Sequence, residues 1–243
     1  MGPETLYGMA LIAVPILLSL TLHEYGHARV ALAFGDRTAK DLGRVTLNPL
    51  AHLDLIGTIC LLVGPIGWAK PVPVDFSRLR PARIGDICVS LAGVGMNLLL
   101  AAFSGLCLYV MARAGVRISE TGPATPAGIA AFMLSFALFI NLSLILFNLI
   151  PLFPLDGHHV VRELLPWNKR AEYMHWQVRF GQFILLALVG VPWLMRSVLK
   201  KQVTSPLDYY MGLIEGVILH CLPNEALGLF ADAWDRYRQF LSW

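Results

Sequence analysis

The sequence has few charged residues. Asp, Glu, Lys and Arg make up 14% of its 243 residues, whereas soluble domains carry about 25%. Hydrophobic residues make up 56%. This balance argues against a water-soluble globule and indicates a protein that lies in a membrane. Because apolar segments and short connections take up most of the length, we expect a single membrane-embedded domain over residues 1–243.

The sequence also lacks the cysteine and basic clusters that mark other classes. Its four cysteines lie far apart and form no C-x-x-C pair, which argues against a disulfide framework and a thiolate metal site. We interpret them as small buried hydrophobic residues. The net charge is only +3, and no dense run of Lys and Arg with interleaved aromatics occurs. Binding to nucleic acid therefore has little support.

The sequence does contain long apolar runs. A spanning helix needs about 20 mostly apolar residues, and three runs have this length. They cover about 6–28, 88–112 and 127–150, and shorter runs cover 54–68, 181–195 and 208–222. We expect an all-α polytopic membrane protein with about five or six transmembrane segments. No basic residue precedes the first run, so we do not expect a cleaved signal peptide.

The distribution of Lys and Arg predicts the orientation of these segments. Basic residues follow the first run, precede the second and follow the third, at positions 29–44, 70–83 and 162–179. An excess of such residues marks cytoplasmic loops. Two loops on one side of a membrane cannot be joined by a single crossing. We therefore expect 54–68, which glycines and Pro65 interrupt, to form a short re-entrant or β hairpin.

The C-terminal third is less regular in its charge pattern. Arg196, Lys200 and Lys201 would lie outside the cell if 181–195 spanned the membrane, against the usual bias. The topology of 181–222 therefore stays open. Residues 223–243 mix acidic, basic and aromatic positions and are expected to form an amphipathic helix. We place a three-helix catalytic core at about 6–165 and the C-terminal helices at about 177–243.

The first apolar run ends in His23-Glu24-Tyr25-Gly26-His27. On a helix, the two histidines lie one turn apart on one face, within reach of a single metal ion. Zinc suits imidazole ligands and keeps an open position for water, and Glu24 lies beside the ion as a general base. The alternative interpretation is that the two histidines lie on the protein surface and bind no metal. Burying such residues in an apolar helix is costly unless they bind metal or face a cavity, which favours the zinc site.

The third ligand has to come from another segment, and Asp156 is the best candidate. It follows the third long run in Asn148-Leu-Ile-Pro-Leu-Phe-Pro-Leu-Asp-Gly157, where two prolines and a glycine interrupt the helix. Broken backbone is tolerated at membrane depth where it lines a cavity, so a carboxylate there can face an ion. His158 and His159 are alternative ligands that the residues alone leave open.

These motifs resemble the site-2 protease family of intramembrane zinc metallopeptidases, peptidase family M50, in its compact form without PDZ or CBS domains. The patches that carry the resemblance are HEYGHA at 23–28, GDRTAKDLGRVTLNPLAHLD at 35–54, GWAKPVPVDFSRLR at 67–80, AGVGMNLLLA at 92–101 and NLIPLFPLDGHHV at 148–160. The resemblance implies one zinc ion on His23, His27 and Asp156, with Glu24 as the catalytic acid/base. It also implies a transmembrane protein as substrate and active residues toward the cytoplasmic side of a prokaryotic plasma membrane.

Four further residues are candidates for binding substrate. The family pattern places Asn97 and Asn148 near the site, where they could hold substrate backbone or the oxyanion; helix-to-helix hydrogen bonds are the alternative. Val72 and Val74 alternate with Pro71 and Pro73 in an extended stretch that could pair with an unwound substrate. Val94 stands where the family often has proline, which puts the local geometry in doubt. His52 is interpreted as structural, and His175 and His220 are assigned no role.

Two other functions compete with a protease. A membrane metal or proton transporter also uses buried histidines and acids, but this chain shows no internal repeat and no second set of intramembrane acids. A catalytically inactive scaffold is disfavoured because Glu24 and the three expected ligands are all present. Other divalent metals remain alternatives to zinc.

Overall fold

The computed structural model describes residues 3–57, 67–118, 125–197 and 206–241. Within these ranges the chain is mostly helical and forms no β-strand. The helices are α1 (Pro3–Ala33), α2 (Thr38–Asp41), α3 (Ala82–Arg113), α4 (Pro126–Asn148), α5 (Gly157–Leu164), α6 (Trp167–Trp176), α7 (Gln182–Ser197), α8 (Pro206–Cys221) and α9 (Asn224–Leu241). A π-helical turn, Gln177–Gly181, joins α6 to α7. Short 3₁₀ turns occur at Pro49–Ala51 and Phe76–Arg78.

Three helices are long and apolar enough to cross a membrane: Tyr7–Ala33 within α1, Ala82–Arg113 and Pro126–Asn148. They correspond to the three long runs of the sequence, so an all-helical protein with three candidate spanning helices is confirmed. The runs at 181–195 and 208–222 lie largely in α7 and α8, which border residues outside the described ranges and are not among these three helices. The total of five or six segments stays a prediction.

The predicted hairpin falls partly outside the described residues, which omit 58–66. Its two ends lie side by side: Leu53 and Ala69 form an isolated antiparallel bridge, and the Lys70 amide donates to the His52 carbonyl at 2.8 Å. The chain therefore enters and leaves this segment at the same place. The hairpin between these two ends stays a prediction.

The described chain divides into two compact units. One comprises residues 1–19, 97–144 and 213–243, and the other comprises residues 20–96 and 145–212. The single domain expected from the sequence is not tested by this division and stays a prediction. All three predicted metal ligands and Glu24 belong to the second unit.

In the first unit, polar and aromatic contacts hold the helices together. The Asn141 side chain on α4 donates to the Ser19 hydroxyl of α1 at 2.8 Å, a buried bond of the kind that links helices in membranes. Phe139 packs on Trp234 of α9, with ring centroids 4.3 Å apart. Helix α9 is amphipathic as expected, because Leu229 and Phe230 are buried.

In the second unit, the C-terminal half of α1 packs against the segment that leads to α3. Ala28, Ala39 and Val72 form one buried cluster, against which Val45 and Val74 pack. A second cluster contains Ala31, Leu79 and Val89. These contacts fix the extended stretch Lys70–Asp75, here called the strap, beside the helix that carries His23 and His27.

Candidate metal centre

His23 and His27 lie one turn apart on α1, and both are buried. Their Nε2 atoms are 3.0 Å apart. His27 Nδ1 lies 2.7 Å from the Val89 carbonyl oxygen, which can only accept a hydrogen bond. Nδ1 therefore carries the proton, and Nε2 keeps the lone pair that a metal needs. A histidine ligand whose other nitrogen is held by a carbonyl is the usual arrangement at zinc sites.

Asp156 reaches the two histidines from the turn that precedes α5. Its Oδ2 lies 3.3 Å from His23 Nε2 and 3.4 Å from His27 Nε2. These three atoms, here called the donor triangle, have edges of 3.0, 3.3 and 3.4 Å. Zinc–ligand bonds of about 2.0–2.1 Å imply an edge of about 3.3 Å between tetrahedral ligands. The donor triangle therefore fits one face of a tetrahedral zinc site.

The neighbouring histidines do not join this group. Among the described residues, the group of metal-competent side chains consists of His23, His27 and Asp156. His158 points its Nδ1 at the Leu155 carbonyl, 2.5 Å away. The His159 ring stacks on Phe76, with centroids 4.6 Å apart. The geometry thus favours Asp156 over either histidine as third ligand, although the ligand roles themselves remain a proposal.

A glycine on α3 makes room for the imidazoles. A Cβ atom on Gly93 would lie 2.4 Å from His23 Cε1 and 2.5 Å from His27 Nε2, far closer than carbon atoms pack. Gly26 of α1, within the HEYGH motif, likewise makes room for the α3 backbone, since its Cβ would lie 2.9 Å from the Ala92 carbonyl oxygen. Small residues at these two positions allow α1 and α3 to approach closely.

Glu24 is held by the strap. Its Oε2 accepts a hydrogen bond from the Val72 amide at 2.8 Å. Proline on either side of Val72 has no N–H to offer. The Val72 side chain is itself buried against α1, so its amide is fixed beside the carboxylate.

This arrangement bears on the predicted pairing of the strap with substrate. The Val72 amide is already used by Glu24, and the Asp75 amide donates to Asp36 Oδ2 at 2.8 Å. The Lys70 carbonyl accepts from Arg44 at 2.7 Å. Several backbone groups of the strap are therefore engaged within the protein. Substrate binding by Val72 and Val74 stays a prediction that has to rely on the remaining groups.

Asn97 and Asn148 have different surroundings. Asn97 is fully buried on α3 and belongs to the first unit, while Asn148 is partly buried, belongs to the second unit and ends α4. Their predicted contacts with substrate are not tested by the structure. His52 is buried, and its Nε2 lies 2.9 Å from the Thr46 carbonyl, which supports its interpretation as a structural residue.

Residues 149–156, here called the proline loop, carry Asp156 and are held from both sides. Before Asp156, the Gln177 side chain bonds to Pro151 and Phe153. After it, Arg162 on α5 forms an ion pair with Asp86 on α3, and Asp86 is buried. Gly157 allows the loop to fold back, since its Cβ would lie 2.5 Å from the Leu149 carbonyl oxygen.

Comparison with known proteins places the chain among zinc metalloproteases. The sequence model of Peptidase family M50 matches residues 112–188. A Bacillus subtilis protein named as zinc metalloprotease YwhC is 40% identical over 184 residues, which cover 76% of this chain and 82% of that protein. This chain belongs to peptidase family M50. The membership expected from the motifs is confirmed, and the M50 chain is an integral membrane metalloprotease.

More distant relatives carry similar names. Proteins named as zinc metalloprotease Rip2 are 33% identical in Mycolicibacterium smegmatis and 32% identical in Mycobacterium tuberculosis. The aligned regions cover 74% and 64% of this M50 chain, and 66% and 58% of those proteins. No solved structure matches the chain.

Several residues that shape the centre of this M50 peptidase were not predicted from the sequence. Gly93 lies in a patch that carries the family resemblance, but its contact with the imidazoles depends on how α1 and α3 cross. Gln177 and the Asp86–Arg162 pair act across 26 and 76 residues of sequence, respectively. Asp86 lies just before the apolar run at 88–112, beside the basic residues of the preceding loop, so no local signal singled it out.

Proposed function

We propose that this M50 peptidase hydrolyses peptide bonds in or near the transmembrane segments of other membrane proteins. The observation that carries the proposal is the donor triangle, because it combines zinc-like spacing with two histidines on a helix long enough to span a membrane. One zinc ion per chain would be held by His23, His27 and Asp156. Both histidines are buried, and polar side chains buried in a spanning helix are costly unless they bind a metal or another partner.

The residues around the triangle suit peptide hydrolysis. Zinc bound there would lower the pKa of a coordinated water and polarise the scissile carbonyl. Glu24 would accept the proton of the attacking water and later deliver it to the departing amine, which leaves the carboxylate free for another turnover. The hydrogen bond from the Val72 amide would orient that carboxylate throughout.

A substrate helix hides its amides in internal hydrogen bonds, so it has to unwind before cleavage. The strap is the proposed partner for the unwound stretch, through carbonyl groups and the Val74 amide. Asn97 and Asn148 are the proposed contacts for substrate backbone or the oxyanion. Val74→Pro removes the Val74 amide. Unchanged kcat/KM of this variant on a substrate that is already unwound would rule out pairing through that amide.

We propose that the catalytic residues face the cytoplasmic side of a prokaryotic plasma membrane, because the loops beside them are rich in Lys and Arg. Thiol labelling tests this placement. In a chain without its native cysteines, Lys40→Cys should react with a membrane-impermeant reagent in inside-out vesicles and stay unlabelled in right-side-out vesicles. The reverse pattern would contradict the proposed orientation.

Reconstituted proteolysis tests the proposed reaction. Wild type and Glu24→Gln are placed in liposomes with a single-span substrate, and the products are mapped by mass spectrometry. We expect wild type to cut within or beside the apolar segment and Glu24→Gln to leave the substrate intact. Zinc flux without cleavage would indicate the transporter, and substrate binding that survives Glu24→Gln without any cleavage by wild type would indicate the scaffold.

A further inference from the structure

Gln177 is a buried amide in the π-helical turn between α6 and α7. A π-helical turn inside a helical segment is rare and frequently occurs at functional sites. Gln177 belongs to the C-terminal third, to which the reaction proposed above gives no role. Its side chain is not directed at the membrane or at water, because it is 2% exposed.

Both polar atoms of the Gln177 side chain bond to the proline loop. Nε2 donates to the Pro151 carbonyl at 2.8 Å, and Oε1 accepts from the Phe153 amide at 2.9 Å. Two prolines in this loop prevent a regular helical hydrogen-bond pattern, so its backbone groups need partners from elsewhere. A primary amide donates and accepts at once, which suits the two groups that the loop presents.

Gly181 completes this contact one turn later. A Cβ atom there would lie 2.8 Å from Gln177 Oε1 and 3.0 Å from the Phe153 amide nitrogen. Glycine therefore allows the turn to lie directly against the loop. Phe153, whose backbone amide donates a hydrogen bond to Gln177 Oε1, precedes Asp156 by three residues.

We propose that Gln177 is a positioning residue that holds the proline loop so that the Asp156 carboxylate stays at the donor triangle. The proposal rests on the proposed zinc site and gives the C-terminal third a function there: the π-helical turn braces the loop that carries the third ligand. Gln177 touches neither the metal nor the substrate. Its effect passes through the loop backbone to Asp156.

The test measures zinc affinity of the full chain in detergent, by competition with chromophoric chelators that span a range of affinities. Gln177→Glu keeps the size and the acceptor but sets an oxygen against the Pro151 carbonyl. We expect about a 10- to 100-fold loss of zinc affinity, the range found for residues that orient metal ligands. Gln182→Glu, an exposed change five residues along the chain, should bind zinc as wild type does.

A double-mutant cycle separates positioning from general stability. If Gln177 acts through Asp156, adding Gln177→Glu to Asp156→Ala should weaken zinc binding by less than about twofold. An equal loss in both backgrounds would overturn the proposal, as would wild-type affinity in Gln177→Glu alone. The metal-free melting temperature serves as the check that each variant is folded.

Gly181→Ala provides a second route if Gln177→Glu does not fold. Its methyl group would displace the Gln177 oxygen, so we expect the same direction of change in zinc affinity. Gly190→Ala on α7 is the matched control, because nothing lies within 4 Å of its Cβ position. Equal affinities of these two variants would overturn the proposal. Absence of stoichiometric zinc from wild type would overturn the proposed function as well, whereas a normal wild type with unaffected variants overturns this inference alone.

Discussion

The two halves of the donor triangle are built in different ways. His23 and His27 come from one continuous helix, where a spacing of four residues places them together by local geometry. Asp156 comes from a turn between α4 and α5, broken by prolines, and depends on contacts from α3 and from the π-helical turn. The two histidines, the helical half, therefore require only space for their rings, which the absence of a side chain at Gly93 provides. Asp156, the loop half, requires contacts from residues that are distant in sequence.

Glu24→Gln gives the largest expected effect, because it separates chemistry from metal binding. The variant keeps both histidines and Asp156, so zinc content should equal that of wild type. Without a general base, kcat should fall by about 10²- to 10⁴-fold. Turnover of a single-span substrate and zinc content by mass spectrometry measure the two quantities. Glu172→Gln, an exposed change on α6, is the control and should behave as wild type.

The Asp86–Arg162 pair is the next test, and it addresses the loop half. Asp86→Leu leaves the Arg162 guanidinium largely buried without its main partner, which should lower the free energy of unfolding by about 3 kcal/mol. Adding Arg162→Met replaces the pair by apolar groups and should restore most of that loss. Melting temperature in detergent measures both. A double variant less stable than Asp86→Leu would contradict the assigned role of the pair.

Gly93→Ala tests the helical half. Its methyl group would meet both imidazoles, so either the helices separate or the histidines move, at a cost of about 1–3 kcal/mol in stability. Zinc affinity should fall with it. Gly95→Ala, two residues along α3, meets nothing within 4 Å and is the matched control. If both variants bind zinc equally well, the close approach of α3 to the histidines is wrong.

Asp36 gives the smallest expected effect, and it depends on pH. Burial raises the pKa of this carboxyl. Hydrogen bonds from Thr38 and the Asp75 amide together lower the pKa by more than burial raises it, so it lies below its ordinary value of 3.8. A depressed pKa stabilises the fold above the ordinary value, and this contribution is lost as the pH falls through the folded pKa.

Asp36→Asn should therefore lower stability by about 1–3 kcal/mol at pH 7, the scale of a hydrogen bond to a charged group. The difference from wild type should shrink at and below about pH 4, near the ordinary carboxyl pKa. Melting temperatures at several pH values measure it. Asp41→Asn changes an exposed carboxyl and should have little effect at either pH. A pH-independent difference for Asp36→Asn would show that charge is not the cause.

The same contrast explains how much the sequence could predict. The three long helices and the pairing of His23 with His27 follow from hydrophobic length and helical spacing, which are local properties. Asp156 was separable from His158 and His159 only by the family resemblance, because neighbouring side chains in a broken segment can point in any direction. The donor triangle favours Asp156, and its role as a ligand stays a proposal.

The remaining features depend on contacts between distant segments. Substrate binding by Val72 stays a prediction, but the bond of its amide to Glu24 and the packing of its side chain on α1 were not predicted. The alternating residue pattern of an extended stretch does not indicate which segment will form hydrogen bonds with its backbone groups. Gln177 and Gly93 gave no signal for the same reason, since a glutamine and a glycine acquire these roles only when another segment packs against them.

X-ray absorption at the zinc edge of the purified wild-type protein tests the proposed metal centre. We expect one zinc per chain with two imidazole nitrogens and carboxylate or water oxygens at about 2.0–2.2 Å. In Asp156→Ala, the zinc content should fall or the oxygen shell should change while the imidazole signal of any bound zinc persists. A sulfur shell, a site without imidazole, or a spectrum identical in wild type and Asp156→Ala would contradict the metal centre described for this chain.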